Sequence, residues 1–271
     1  MGEDGERSDE ALLSAARQGD RPALEALLGR YQARIYRYGL RMCGDPEDAK
    51  DVLQETMLAM ARRVGALQAA GALPTWLYTV ARSFCLKRRR GHGAAPTRSL
   101  DDAGASGLQV ADPARGPEDR VAGRQLESVL AAAIAELNPA QRDVLILRDV
   151  EGLSAPQVAE VLGIGVKAVK SRLHRGRVAL RDRLAPALGL PASAPAAAGC
   201  PDVLTLWSRH REGEITADLC ARMDEHLARC PRCAAACESL KRTLVVCQSA
   251  PTPVVPAAVQ QALRQELDRL R

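Results

Sequence analysis

The sequence predicts an all-α protein built from small helical domains, and three observations lead there. Ala, Leu, Arg, Glu and Gln dominate the 271 residues, and these are strong helix formers. Apolar residues recur at three- and four-residue spacing in every block, and no alternating run suggests a strand. Two stretches rich in Gly, Ala, Pro and small polar residues, 91–119 and 185–199, interrupt that spacing and read as linkers. They leave three blocks, 1–90, 120–184 and 200–271.

In the first block, "SDEALLSAARQGDRPALEALLGRYQARIYRYGLRMCG" gives two helices, the second opened by Asp20, Arg21 and Pro22. Asp45-Pro46 opens a third, with acidic residues in its first turn where the helix dipole favours them. Val52, Leu53, Thr56, Met57 and Met60 form its apolar face. Asp48, Asp51, Gln54 and Glu55 lie on the other, where charge is ordinarily just solvated. In "LPTWLYTVARSFCLKRRRG", Thr75 can cap a helix that buries Leu77, Val80, Ala81 and Phe84. Its end is cationic, and Trp76 and Tyr78 are either core or a stacking surface for an unpaired base.

The second block carries a more specific pattern. Ser154-Ala155-Pro156-Gln157 is a capping box with Pro in the first turn. A short helix follows, then Gly163 for a sharp turn, then a second helix from near Val166 with the buried stripe Val169, Leu173, Gly176 and Leu180. Its outward side is expected to be cationic, through Lys167, Lys170, Arg172, Arg175, Arg177, Arg181 and Arg183. Short helix, Gly turn and cationic second helix make a helix-turn-helix, which places its second helix in the DNA major groove.

Composition bounds the rest. No run of 18 apolar residues occurs, and the polar start "MGEDGERSDE" lacks the apolar core of a secretory signal, so a cytoplasmic protein without membrane association is expected. Net charge of +5 is too small to name a partner by itself. The eight cysteines are unevenly spread: Cys43 and Cys85 stand alone, whereas Cys200, Cys220, Cys230, Cys233, Cys237 and Cys247 fall within 48 residues. In a reducing compartment such a cluster binds metal or does redox work more often than it staples a fold.

"HLARCPRC" is the centre of that cluster. A helix over 217–229 carries His226 on its last turn, and Pro231 starts the next helix. The N-terminus of that helix favours the thiolates of Cys230 and Cys233. With Cys200 they complete a tetrahedral Cys₃His set. Cys220, Cys237 and Cys247 exceed the demand of one such site and are additional candidates for a thiolate-rich site. A redox dithiol and a structural-zinc tail are alternatives, and an operator-binding repressor is a further one. A zinc hydrolase lacks a persuasive general base, Asp224 and Glu225 being weak candidates.

Residues 8–184 resemble the extracytoplasmic-function (ECF) sigma factors of bacterial RNA polymerase. The resemblance rests on "DPEDAKDVLQETM", "LPTWLYTVARSFCLKRRRG", "LNPAQRDVLILRDVEGLSAPQVAEVLG" and "VKAVKSRLHRGRVALRDRL". It implies sigma region 2 at 8–92, a flexible linker at 93–119 and sigma region 4 at 120–186, with the polymerase rather than this chain doing the catalysis. By the same resemblance Asp48, Asp51, Gln54 and Glu55 dock on the clamp helices of the largest polymerase subunit. Trp76, Tyr78, Arg82, Lys87 and Arg88 take the −10 promoter element as single strand. Lys167, Lys170, Ser171, Arg172 and Arg175 bind the −35 element. Ser83 and Gly165 depart from the family pattern, which often has Asn and Ser there.

After a linker at 187–199, residues 200–250 are similar to the zinc-binding domain of anti-sigma factors through C-x25-H-x3-C-x2-C. The cysteine-rich tail behind an ECF core is also similar to the CorE-type sigma factors of myxobacteria. There the tail senses metal directly and replaces a separate anti-sigma factor, which implies a zinc, copper or cadmium ion in the tail here. A tail helix is expected within 251–271, with Val259, Leu263, Leu267 and Leu270 as its stripe.

Overall fold

The computed structural model describes residues 7–91, 117–190, 199–249 and 252–269. Residues 1–6, most of the first linker and 191–198 of the second lie outside them. Every regular element described is helical. In chain order these are α1 (Asp9–Arg17), α2 (Arg21–Cys43), α3 (Pro46–Arg63), α4 (Leu73–Gly91), α5 (Pro117–Ala135), α6 (Pro139–Leu145), α7 (Ala155–Leu162), α8 (Val166–Leu184), α9 (Val203–Arg211), α10 (Ala217–Arg229), α11 (Pro231–Ser249) and α12 (Ala257–Arg269). A π-helical turn, Ile146–Val150, continues α6.

The helices gather into two compact units, and the division is not the one between the sequence blocks. Residues 115–250 form one unit, so the helix-turn-helix and the cysteine-rich block share a core. The tail 251–271 joins the first block.

In the first unit α2, α3 and α4 pack on one another, with α1 against α2. The helix starts are those the sequence marks. Asp20 accepts from the Ala23 amide at 3.1 Å, and Asp45 accepts from those of Glu47 and Asp48 at 2.8 and 3.1 Å. Thr75 is different. The helix already begins at Leu73, after a 3₁₀ turn over Ala70–Ala72, so Thr75 is a buried first-turn residue and not the cap. α2 and α3 cross at Gly39, where a Cβ would sit 3.1 Å from Ala49 Cα. Gly39→Val should therefore overpack this crossing and cost about 1–3 kcal/mol, read as a lower denaturation midpoint. α12 packs on α3, burying Leu263, and Arg21 pairs with Asp268. Arg37 donates to the Thr252 hydroxyl at 3.2 Å.

In the second unit α8 is the axis, with α5, α6, α7, α9 and α11 all packed on it. Val169, Leu173, Gly176 and Leu180 are buried, as their spacing predicts. At Gly176 α6 comes so close that a Cβ would lie 3.3 Å from the Gln141 carbonyl oxygen. The capping box forms: the Gln157 amide donates to Ser154 Oγ, and the Ser154 amide to Gln157 Oε1. Gly163 ends α7 with φ +65°, a conformation side chains rarely adopt.

Candidate DNA, polymerase and metal sites

α3 and α4 bring the expected polymerase and −10 residues onto one unit. Along α3, Asp48, Asp51 and Gln54 are half-buried and Glu55 is exposed. Asp51 pairs with Arg88 of α4 at 2.6 Å, joining one residue of each set. Leu58 stands seven, four and three residues after Asp51, Gln54 and Glu55, hence on their side of the helix, and it too is buried.

On α4, Lys87 is exposed, and Trp76, Arg82 and Arg88 are half-buried. Tyr78 corrects the expectation of base stacking. It is fully buried, edge-on to Tyr38 with ring centroids 5.3 Å apart, so its ring is core.

α8 divides along its length. Its first half keeps the expected DNA residues near the surface: Lys167, Ser171 and Arg175 exposed, Lys170 and Arg172 half-buried. Lys170 Nζ is 2.9 Å from Glu214 in the connection after α9. The second half corrects the expectation of an outward cationic face, because Arg177 and Arg181 are buried at 0% and 1% exposure. Arg177 makes a two-pronged bond to Asp149 at 2.7 and 2.8 Å, reaches Glu212 at 2.7 Å and donates to Ser208 Oγ at 3.0 Å. Burial opposes charge on Arg177, but Asp149 and Glu212 outweigh it and hold its pKa above the ordinary value. Burial likewise opposes the Glu212 carboxylate, yet Arg177 and Arg148 pull its pKa below the usual range. Arg181 donates to Ser239 Oγ of α11 at 3.1 Å. His174 Nε2 lies 3.0 Å from the Thr205 hydroxyl of α9. Sequence reasoning did not single out Glu212 and Glu214, whose cationic partners come from other helices.

The metal candidates come together. α10 ends at Arg229, Cys230 is its cap, and Pro231 opens α11, as the sequence predicts. One ligand atom each from Cys200, His226, Cys230 and Cys233 lie within 4.8 Å of one another. His226 Nε2 is buried with no hydrogen-bond partner, as an uncoordinated ligand nitrogen would be. The amide of Cys233 at the start of α11 and the Cys233 thiol lower the pKa of Cys230. Burial, with the Cys230 and Cys200 thiols alongside, pushes Cys233 up to about 12. A bound cation would overturn that rise, since it deprotonates a coordinating thiol outright. Three thiols and an imidazole match a closed tetrahedral zinc site.

The three additional cysteines do not join this cluster. Cys237 and Cys247 are 1% exposed, and Cys237 packs with Trp207, Met223, Leu240 and Leu244. They are core residues, for which thiol burial is ordinary. Cys220 lies 3.7 Å from His210 Nδ1 and 3.9 Å from Asp224, apart from the four.

Curated relatives match about two thirds of this chain over most of their own length. The ECF RNA polymerase sigma factor SigW of Bacillus subtilis is 30% identical over 176 residues, which is 64% of this chain and 94% of the relative. SigM of Mycobacterium tuberculosis is 35% identical over 186 residues, 68% of this chain and 86% of the relative. The chain belongs to the ECF RNA polymerase sigma factors. It is thus a transcription-initiation factor, not an enzyme. "Sigma-70 region 2" matches residues 27–95 of this sigma factor and "Sigma-70, region 4" residues 128–180. "Putative zinc-finger" matches 200–234, which contains all four clustered ligands. Two solved structures resemble the sigma factor at low identity. CnrH in complex with the cytosolic domain of CnrY is 24% identical, with TM-score 0.45, over 64% of this chain and 94% of that one. The sigma factor RpoE in complex with the anti-sigma factor NepR, from Bartonella quintana, is 21% identical, with TM-score 0.46, over 58% and 93%. Among the described residues no helix is long and apolar enough to cross a membrane.

Proposed function

We propose that the cysteine-rich block is a zinc-dependent brake fused to the sigma factor, taking the place of a separate anti-sigma factor. The observation that carries this reading is the Lys170–Glu214 pair at 2.9 Å: a cation expected to meet the −35 element is engaged by the sigma factor's own C-terminal block. The buried Arg177–Asp149–Glu212 cluster seats α9 on the same helix. In this reading, releasing the block frees Lys167, Lys170, Ser171, Arg172 and Arg175 for the −35 element. Trp76, Arg82, Lys87 and Arg88 face the −10 strand. Asp48, Asp51, Gln54 and Glu55 meet the polymerase clamp helices, and α12, packed on α3, limits access there until it is displaced.

The metal would hold Cys200, just before α9, to the junction of α10 and α11. Losing it loosens α9, and with it Glu212 and Glu214. The energetics suffice. A near-complete two-state flip needs about 5.5 kcal/mol of differential affinity, and structural zinc sites in small domains are worth about 10–16 kcal/mol. Cys₃His coordination favours zinc, and copper and cadmium are tested beside it.

Transcription by purified core polymerase, from a promoter recovered with the holoenzyme from genomic DNA, tests the brake. Zinc-loaded protein should be weakly active. Stripping the metal, or Cys230→Ser, should raise output about tenfold or more, and added zinc should restore the brake only to the native sequence. Equal output in all of these states would sink metal control, and a fall on stripping would reverse its direction.

A further inference from the structure

The first unit holds a pair of thiols that sigma function does not use. Cys43 is the last residue of α2 and Cys85 lies within α4, 42 residues later, and their sulfurs are 2.6 Å apart. Closing that gap by about 0.6 Å reaches the covalent S–S length of roughly 2.05 Å. Both side chains are buried, at 7% and 1% exposure, so the nearest reaction partner for either sulfur is the other. The metal ligands are all in the other unit.

We infer that Cys43 and Cys85 are an oxidation site, converted by a hydroperoxide into a disulfide that staples α2 to α4. Cys43 is the more exposed of the two and sits at a helix end followed by Gly44, so it meets the oxidant first. Its sulfur attacks the peroxide oxygen, giving a sulfenic acid and one water or alcohol. The Cys85 sulfur then displaces hydroxide from that sulfenic acid, forming the S–S bond and releasing water with the Cys85 proton. The peroxide gains the two electrons that the thiols lose. A reducing dithiol reverses the bond by exchange. The staple ties the middle of α4, which carries Arg82, Lys87 and Arg88, to the end of α2, and it closes a long loop in the unfolded chain.

Peptide mapping tests this directly. Full-length, zinc-loaded protein is treated with hydrogen peroxide, blocked with an alkylating reagent and digested with trypsin. The expected product is Met42–Lys50 disulfide-linked to Ser83–Lys87. It should vanish on prior reduction with dithiothreitol and accompany a rise of at least about 5 °C in the Tm of the first unit. Cys43→Ala and, separately, Cys85→Ala should each abolish both effects while zinc content stays unchanged. If both thiols remain alkylatable after peroxide, if the link forms only in denatured protein, or if Cys43 links instead to a C-terminal cysteine, the inference is overturned.

Discussion

Replacing Arg177 by methionine should destabilise the second unit by about 3–5 kcal/mol. Arg177 is fully buried, and so is the Asp149 side chain; that of Glu212 is 4% exposed. Without the guanidinium two carboxylates face each other in a site where water cannot replace it. The cost lies in those stranded charges more than in the lost attraction. Arg177→Lys keeps a charge but not the planar fork that bonds both Asp149 oxygens, so it should fall between the two. Replacing Arg177, Asp149 and Glu212 together by apolar residues of similar volume should recover most of the loss. Denaturation followed by Trp207 fluorescence, in a Trp76→Phe background, reads the second unit alone. A methionine variant within about 1 kcal/mol of the parent would mean that the cluster does not hold α9 on α8.

Removing the metal is the second large effect. Chelation, Cys200→Ser or Cys233→Ser should melt α9, α10 and α11 and expose the connection at 212–216 to protease. The core of this block is small, centred on Trp207, Met223, Cys237, Leu240 and Leu244, and α10 contributes Met223 alone to it. The ion is worth more than that core can supply. Cys237→Ser and Cys247→Ser should behave oppositely, keeping one zinc per chain and losing only packing stability. Metal analysis by mass spectrometry separates the two classes. Loss of zinc from the Cys247 variant, with retention in the Cys200 variant, would refute the ligand assignment.

Local signals were the legible ones. The capping box at Ser154, the glycine turn at Gly163 and the stripe from Val169 to Leu180 each depend on a few neighbouring residues, and each is where its spacing predicts. The clustering of the metal candidates was legible for a related reason. His226, Cys230 and Cys233 sit on one helix end and the next helix start, so only Cys200 had to come from afar. What escaped was decided across distance in sequence. Arg177 and Arg181 look like Lys167 and Arg175 in a string of cations. Only Asp149, Glu212 and Ser239, arriving from other helices, turn them inward. Tyr78 was ambiguous between stacking and core until Tyr38 met it. Cys43 and Cys85 carried no spacing signal at all.

The return of α12 to the first unit also sets an order of assembly during synthesis. α1 to α4 leave the ribosome early, whereas the helix that packs on α3 is the last of those described to be made. At about 5–20 residues per second, roughly ten to thirty seconds separate α4 from α12. For that interval a nascent chain presents α3 without the helix that later packs on it, and if α3 meets polymerase as proposed, that face would be open to it only then.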